Sequence, residues 1–66
     1  MTLHDAIQVV LQNGPMTAIE IANEVNKKQL YHRRDSAPVP SSQIHARIKN
    51  YPQYFERLGD RYKNRE

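Results

Sequence analysis

The chain has 66 residues, no cysteine, 26% charged and 38% hydrophobic residues, and a net charge of +3. That length fits one domain, residues 1–66, with a modest core, and the lack of cysteine excludes a disulfide framework and a thiolate metal site. No apolar stretch approaches membrane-spanning length, and the opening residues lack the basic start and apolar run of a signal peptide. The expectation is a soluble cytoplasmic protein, nuclear in a eukaryotic host, with no membrane partner.

Leu3, Ala6, Ile7, Val10 and Leu11 recur at helical spacing and form one apolar face. Thr2 is placed to cap this first helix, with Asp5 three residues on. Gly14-Pro15 ends it, predicting a helix over roughly residues 3–13. Thr17 and Glu20 then fit a capping box, in which each side chain bonds the other residue's backbone N–H. Ala18, Ile21, Ala22 and Val25 make the second stripe, and Ile19 lies off it. This helix is predicted over 18–28, ending on Lys27-Lys28 where cations suit the helix dipole.

Residues 29–40 read as a loop, with Leu30 and Tyr31 tucked onto the core and His32, Arg33 and Arg34 outside. Val39, between two prolines, suggests a one- or two-residue edge strand. A third helix over 41–50 follows, capped by Ser41 or Ser42. Rotation by about 100° per residue puts Ile44, Ile48 and Tyr51 on one side, with Arg47 at the flank. Ser42, Ala46, Lys49 and Asn50 point away, and Gln43 and His45 sit at the borders. Pro52 stops the helix. Phe55 to Lys63 then changes period around Gly59-Asp60, as a hairpin does, with Phe55 and Tyr62 packing inward. The expected fold is mainly α with a small β-hairpin, arranged as a winged helix-turn-helix.

The same residues resemble a known family. Pro15, Met16, Thr17, Glu20, Ile21 and Ala22, then Leu30-Tyr31, the Ile44/Ile48 pair and Phe55 are similar to the HARE-type winged helix-turn-helix domain. That family is named for a homeobox protein, ASXL-type chromatin proteins and restriction endonucleases, and is related to the N-terminal domain of the RNA polymerase delta subunit. The resemblance covers roughly residues 3–62. It implies DNA association as an accessory to transcription regulation or restriction-modification, beside a larger or fused catalytic module. Family wings close on an aliphatic residue, where this chain offers Tyr62.

Charge points the same way. Residues 1–26 carry three acidic and no basic side chains, whereas residues 27–66 carry ten basic against four acidic. An anionic partner for the second part is the expectation. His4, His32 and His45 lie in separate elements without ligand spacing, so no catalytic residue, metal or cofactor is expected. For duplex DNA, Gln43 and Asn50 suit adenine edges, and Ala46 suits a thymine methyl. The Ser41-Ser42 start offers backbone N–H groups to a phosphate, Lys49 lies on the face with Ser42, and His45 sits beside it. Arg57, Arg61 and Lys63 put charge on the wing, facing the same side as helix three, with Arg65 beyond them and Arg33 and Arg34 as a further contact. Arg47 is expected to pair internally with Glu20 or Glu24, and His4 to lie on the surface. The alternative is a protein-interaction module that docks onto RNA polymerase or another nucleic-acid enzyme. A plainly solvated helix face and hairpin charges that only prevent strand pairing would also produce this pattern.

Overall fold

A computed structural model describes residues 1–65, so Glu66, counted in the charge balance, lies outside the described residues. Three helices come first, α1 (Leu3–Leu11), α2 (Ala18–Lys27) and α3 (Ser41–Asn50), and an antiparallel hairpin follows, β1 (Phe55–Leu58) and β2 (Arg61–Asn64). The α1 and α2 stripes are buried as their spacing predicts. Ile44 and Ile48 of α3, Phe55, Tyr62 and Val39 complete one core.

Local chemistry sets the helix ends. Thr2 accepts from the Asp5 N–H at 3.2 Å. In α2 both halves of the capping box are present: Glu20 N–H to Thr17 Oγ1 at 3.2 Å, and Thr17 N–H to Glu20 Oε1 at 3.0 Å. Those bonds to Thr17 hold the Glu20 carboxyl below its ordinary value, and the Arg61 guanidinium adds a smaller push the same way. Helix α1 stops at Leu11 rather than residue 13, because Gln12, Asn13 and Gly14 donate three residues back and tighten the chain into a turn. Helix α2 closes with a Schellman pattern: Gln29 N–H bonds Asn26 O and Leu30 N–H bonds Val25 O. Gln29 takes the left-handed position, at φ 52°, that glycine usually fills there.

Two expectations about the loop are corrected. Neither Ser41 nor Ser42 caps α3; Pro40 is the capping residue, in extended conformation, and its carbonyl accepts from Gln43 and Ile44. The helix therefore begins at Ser41, and both serines lie in its first turn. Val39 forms no strand either. It is buried, and the Asn26 side chain takes its backbone on both sides, accepting its N–H at 2.8 Å and donating to its carbonyl at 3.0 Å. The extra strand contact lies elsewhere, where Met16 and Tyr62 exchange backbone bonds of 3.0 and 2.7 Å. A lone bridge of this kind carries no period-two pattern. No helix among the described residues is long and apolar enough to cross a membrane.

Candidate nucleic-acid interface

Burying Ile44 and Ile48 fixes the rotation of α3. Ser42, His45, Ala46, Lys49 and Asn50 are exposed, and Ser41, Gln43 and Arg47 are half-buried. The outward face carries no carboxylate. Among the described residues, Ser42, Gln43, Lys49 and Asn50 make no side-chain hydrogen bond or ion pair. Donors and acceptors on this face are committed to nothing else in the fold.

His45 is an exception. Its Nδ1 is hydrogen-bonded to the Tyr62 hydroxyl at 2.8 Å, and the two rings meet edge to face. One ring nitrogen of His45 is therefore spent on the hairpin, and only Nε2 is available to an outside partner. The backbone of Tyr62 holds Met16 while its side chain holds α3, so this one residue ties the hairpin to both ends of the helical layer.

The hairpin register divides the basic residues. Phe55 pairs with Asn64, Glu56 with Lys63, Arg57 with Tyr62 and Leu58 with Arg61. Alternate residues of a strand point to opposite faces. Arg57 therefore shares the face of Phe55 and Tyr62 and lines a cleft with His45 and Lys49 of α3. Arg61 and Lys63 lie on the other face, with Glu56 and Leu58. Lys63 pairs with Glu56 at 3.9 Å and borders the α1–α2 turn. The expectation that Lys49, Arg57, Arg61 and Lys63 face one side is thus corrected: the pleat brings Lys49 and Arg57 together and turns Arg61 and Lys63 away.

Tyr62 stands opposite Arg57, not Phe55, and packs diagonally on Phe55's side of the sheet. Arg65 acts as a clasp. It donates to Pro52 O at 2.9 Å and Phe55 O at 3.1 Å and lies 3.7 Å from Glu56.

Three further expectations change or sharpen. Arg47 has no ion pair among the described residues. Glu20 bonds Thr17, and Glu24 lies 3.5 Å from Lys28 one turn along α2. His4 is half-buried and stacks on Tyr51, with ring centres 4.3 Å apart and planes 25° apart. Helix α1 brings its first turn against the Tyr51 end of α3, and Tyr54 extends the stack. Arg33 is drawn inward by Asp35 at 3.1 Å and the Pro38 carbonyl, whereas Arg34 is exposed near Gln43 at the start of α3. Among the described residues no three His, Asp or Glu side chains gather as a metal site.

The His45–Tyr62 bond and the Arg65 clasp leave no local signature in sequence, since their partners are 17 and 13 residues away. No family model, curated protein or solved structure matches the chain.

Proposed function

We propose that the chain is a winged helix-turn-helix domain that binds duplex DNA as an accessory module. The outward face of α3 meets base edges, and the hairpin, as the wing, meets the phosphate backbone. The observation that carries this is the unengaged face of Ser42, Gln43, Ala46, Lys49 and Asn50, which itself carries no carboxylate and is bordered by Arg57 at the hairpin and, at the loop, by Arg34 beside the Arg33–Asp35 pair. A helix of 10 residues is about 15 Å long, comparable with a major groove about 12 Å wide. Cations at both ends of α3 would reach phosphates on both borders. The resemblance to HARE-type domains, with their association to larger machines, points in the same direction.

Polarisation titration of a labelled random duplex at several salt concentrations tests the proposal. With Lys49, Arg57 and Arg34 each neutralising a phosphate, log affinity falls with log salt at a slope of about −3. Binding is on the order of micromolar or weaker at physiological salt, as for other non-specific contacts. Replacing Lys49 and Arg57 by Ala flattens the slope by about 2, whereas Arg61→Ala with Lys63→Ala changes it by less than about 1. Absence of duplex binding at low salt, with protein at hundreds of micromolar, would refute the proposal.

A further inference from the structure

The cleft between α3 and the hairpin has a chemistry of its own. It is a half-open hollow of about 560 Å³. Its floor is the edge of the core, where Ile48, Phe55 and the Tyr62 ring show only their outermost atoms and Pro52 is exposed. Lys49 and Arg57 stand on its rim, and no carboxylate lines it. Neither cation has an ion-pair partner among the described residues. Arg65 forms a wall that cannot swing aside without losing its bonds to Pro52 and Phe55. A second hollow of about 310 Å³ shares His45, Arg57 and Tyr62 with the first and continues it toward Ile19, which is 64% exposed, and Asp60. The two make one groove, cationic at the Lys49 end, with its single carboxylate at the far end.

We infer that this groove is a docking site for an extended acidic peptide segment of a protein partner that carries a large apolar side chain. Charge complementarity selects the acid at the Lys49 end, because Lys49 and Arg57 lack an ion-pair partner and the one lining carboxylate, Asp60, lies at the far end. The floor selects the apolar anchor. A phosphodiester offers a charge but nothing to cover the exposed Pro52 ring and the core edge beside it, and a duplex is too broad to enter. A Phe or Leu side chain lies in the cleft while neighbouring carboxylates meet the rim, in the manner of interface anchors. Asp60 sets direction: acidic residues lie toward Lys49, and uncharged or basic ones toward Ile19. Lys49 and Arg57 also border the proposed DNA face, so peptide and duplex compete for the same charges.

The test is isotope-edited NMR titration of the whole chain with two synthetic peptides of equal charge. One alternates Asp and Leu around a central Phe, and in the other Ser replaces every Leu and the Phe. The first should shift Ile48, Phe55, Tyr62 and His45 signals saturably. The second should bind at least about 10-fold more weakly, having no group to bury. The double variant Lys49→Ala/Arg57→Ala should weaken the first peptide about 10-fold, and Lys49→Ala alone, which breaks no bond in the fold, should weaken it with its melting temperature unchanged; Arg57→Ala also loses the Nε bond to the Gly59 carbonyl. Equal affinities for the two peptides, shifts confined to Ser42, Ala46 and Asn50, or no binding would each overturn the inference. Peptide that stays bound at saturating duplex would overturn the competition. Duplex alone forms a separate arm: if it shifts nothing, the DNA proposal fails and the groove is judged on the peptides.

Discussion

Changing Tyr62 to Phe removes one oxygen and leaves the ring. Tyr62 is 8% exposed, so the ring's burial survives and only the 2.8 Å bond to His45 is lost. A hydrogen bond of this kind contributes a net of about 0.5–1.5 kcal/mol. His45 is exposed, so water replaces the hydroxyl on its ring nitrogen and no orphaned polar group adds to the loss. The lower half of that range applies, roughly 0.5–1 kcal/mol. In a domain of this size that lowers the melting temperature by about 2–8 °C. Tyr62→Ala is a different perturbation, since it also empties the ring's place beneath α3, a loss of about 3–5 kcal/mol. Total stability for a chain this long is on the order of 3–10 kcal/mol, so Tyr62→Ala removes a large share of it and would unfold the protein at 25 °C if the total lies at the low end of that range. Circular dichroism melts of Tyr62→Phe, His45→Ala and the double variant make a cycle whose coupling energy should be about 0.5–1 kcal/mol. A coupling energy of zero would refute the claim that this bond holds the hairpin to α3.

Asn26→Ala leaves the Val39 N–H and carbonyl without their partner, and should lower stability by about 2–3 kcal/mol in urea melts; a loss under about 0.5 kcal/mol would mean the loop holds Val39 by other means. Ile48→Ala should destabilise by about 2–4 kcal/mol and Lys49→Ala by less than about 0.5 kcal/mol, so equal effects would mean that α3 is rotated about its axis from the arrangement described. The depressed Glu20 carboxyl adds stability that is complete above its ordinary value of 4.5 and is lost as pH falls through the lower folded value. Melting temperatures of the parent and of Glu20→Gln, which keeps an acceptor but does not titrate, should therefore converge as the solution is acidified below that range; a constant difference would contradict the linkage.

The sequence announces whatever repeats or sits within one turn. The α1 and α2 stripes, the Thr17–Glu20 box, the Ile44–Ile48 pair and the Gly59-Asp60 turn are all local, and each lies where its spacing implies. The three helices and the hairpin follow from them. What was illegible depends on partners distant in the chain. Val39 has the look of a strand, but a strand needs a neighbour, and Asn26 bonds its backbone first. Arg47 sits at a helix flank that suggests a pair, yet in the fold Glu20 bonds Thr17 and Glu24 lies beside Lys28 instead. At the candidate site, the composition of α3's outer face was readable from helical rotation. The division of the hairpin cations was readable as well: with Phe55 and Tyr62 inward, strand alternation puts Arg57 on their face and Arg61 and Lys63 on the other, and the expectation of a single cationic side left the pleat out.

The Met16–Tyr62 bridge bears on the order in which the molecule can be completed. Its partners lie in the α1–α2 connection and in the second hairpin strand, so most of the chain must exist before either backbone finds the other. Asn64 reinforces the closure by donating to the Gln8 carbonyl from 56 residues away. Growing from its N-terminus on the ribosome, the helical layer has the Met16 amide and carbonyl open to water until residues near Tyr62 emerge. The amides of Met16 and Tyr62, one at each end of the protein, should then exchange with deuterium in step, as members of one opening unit.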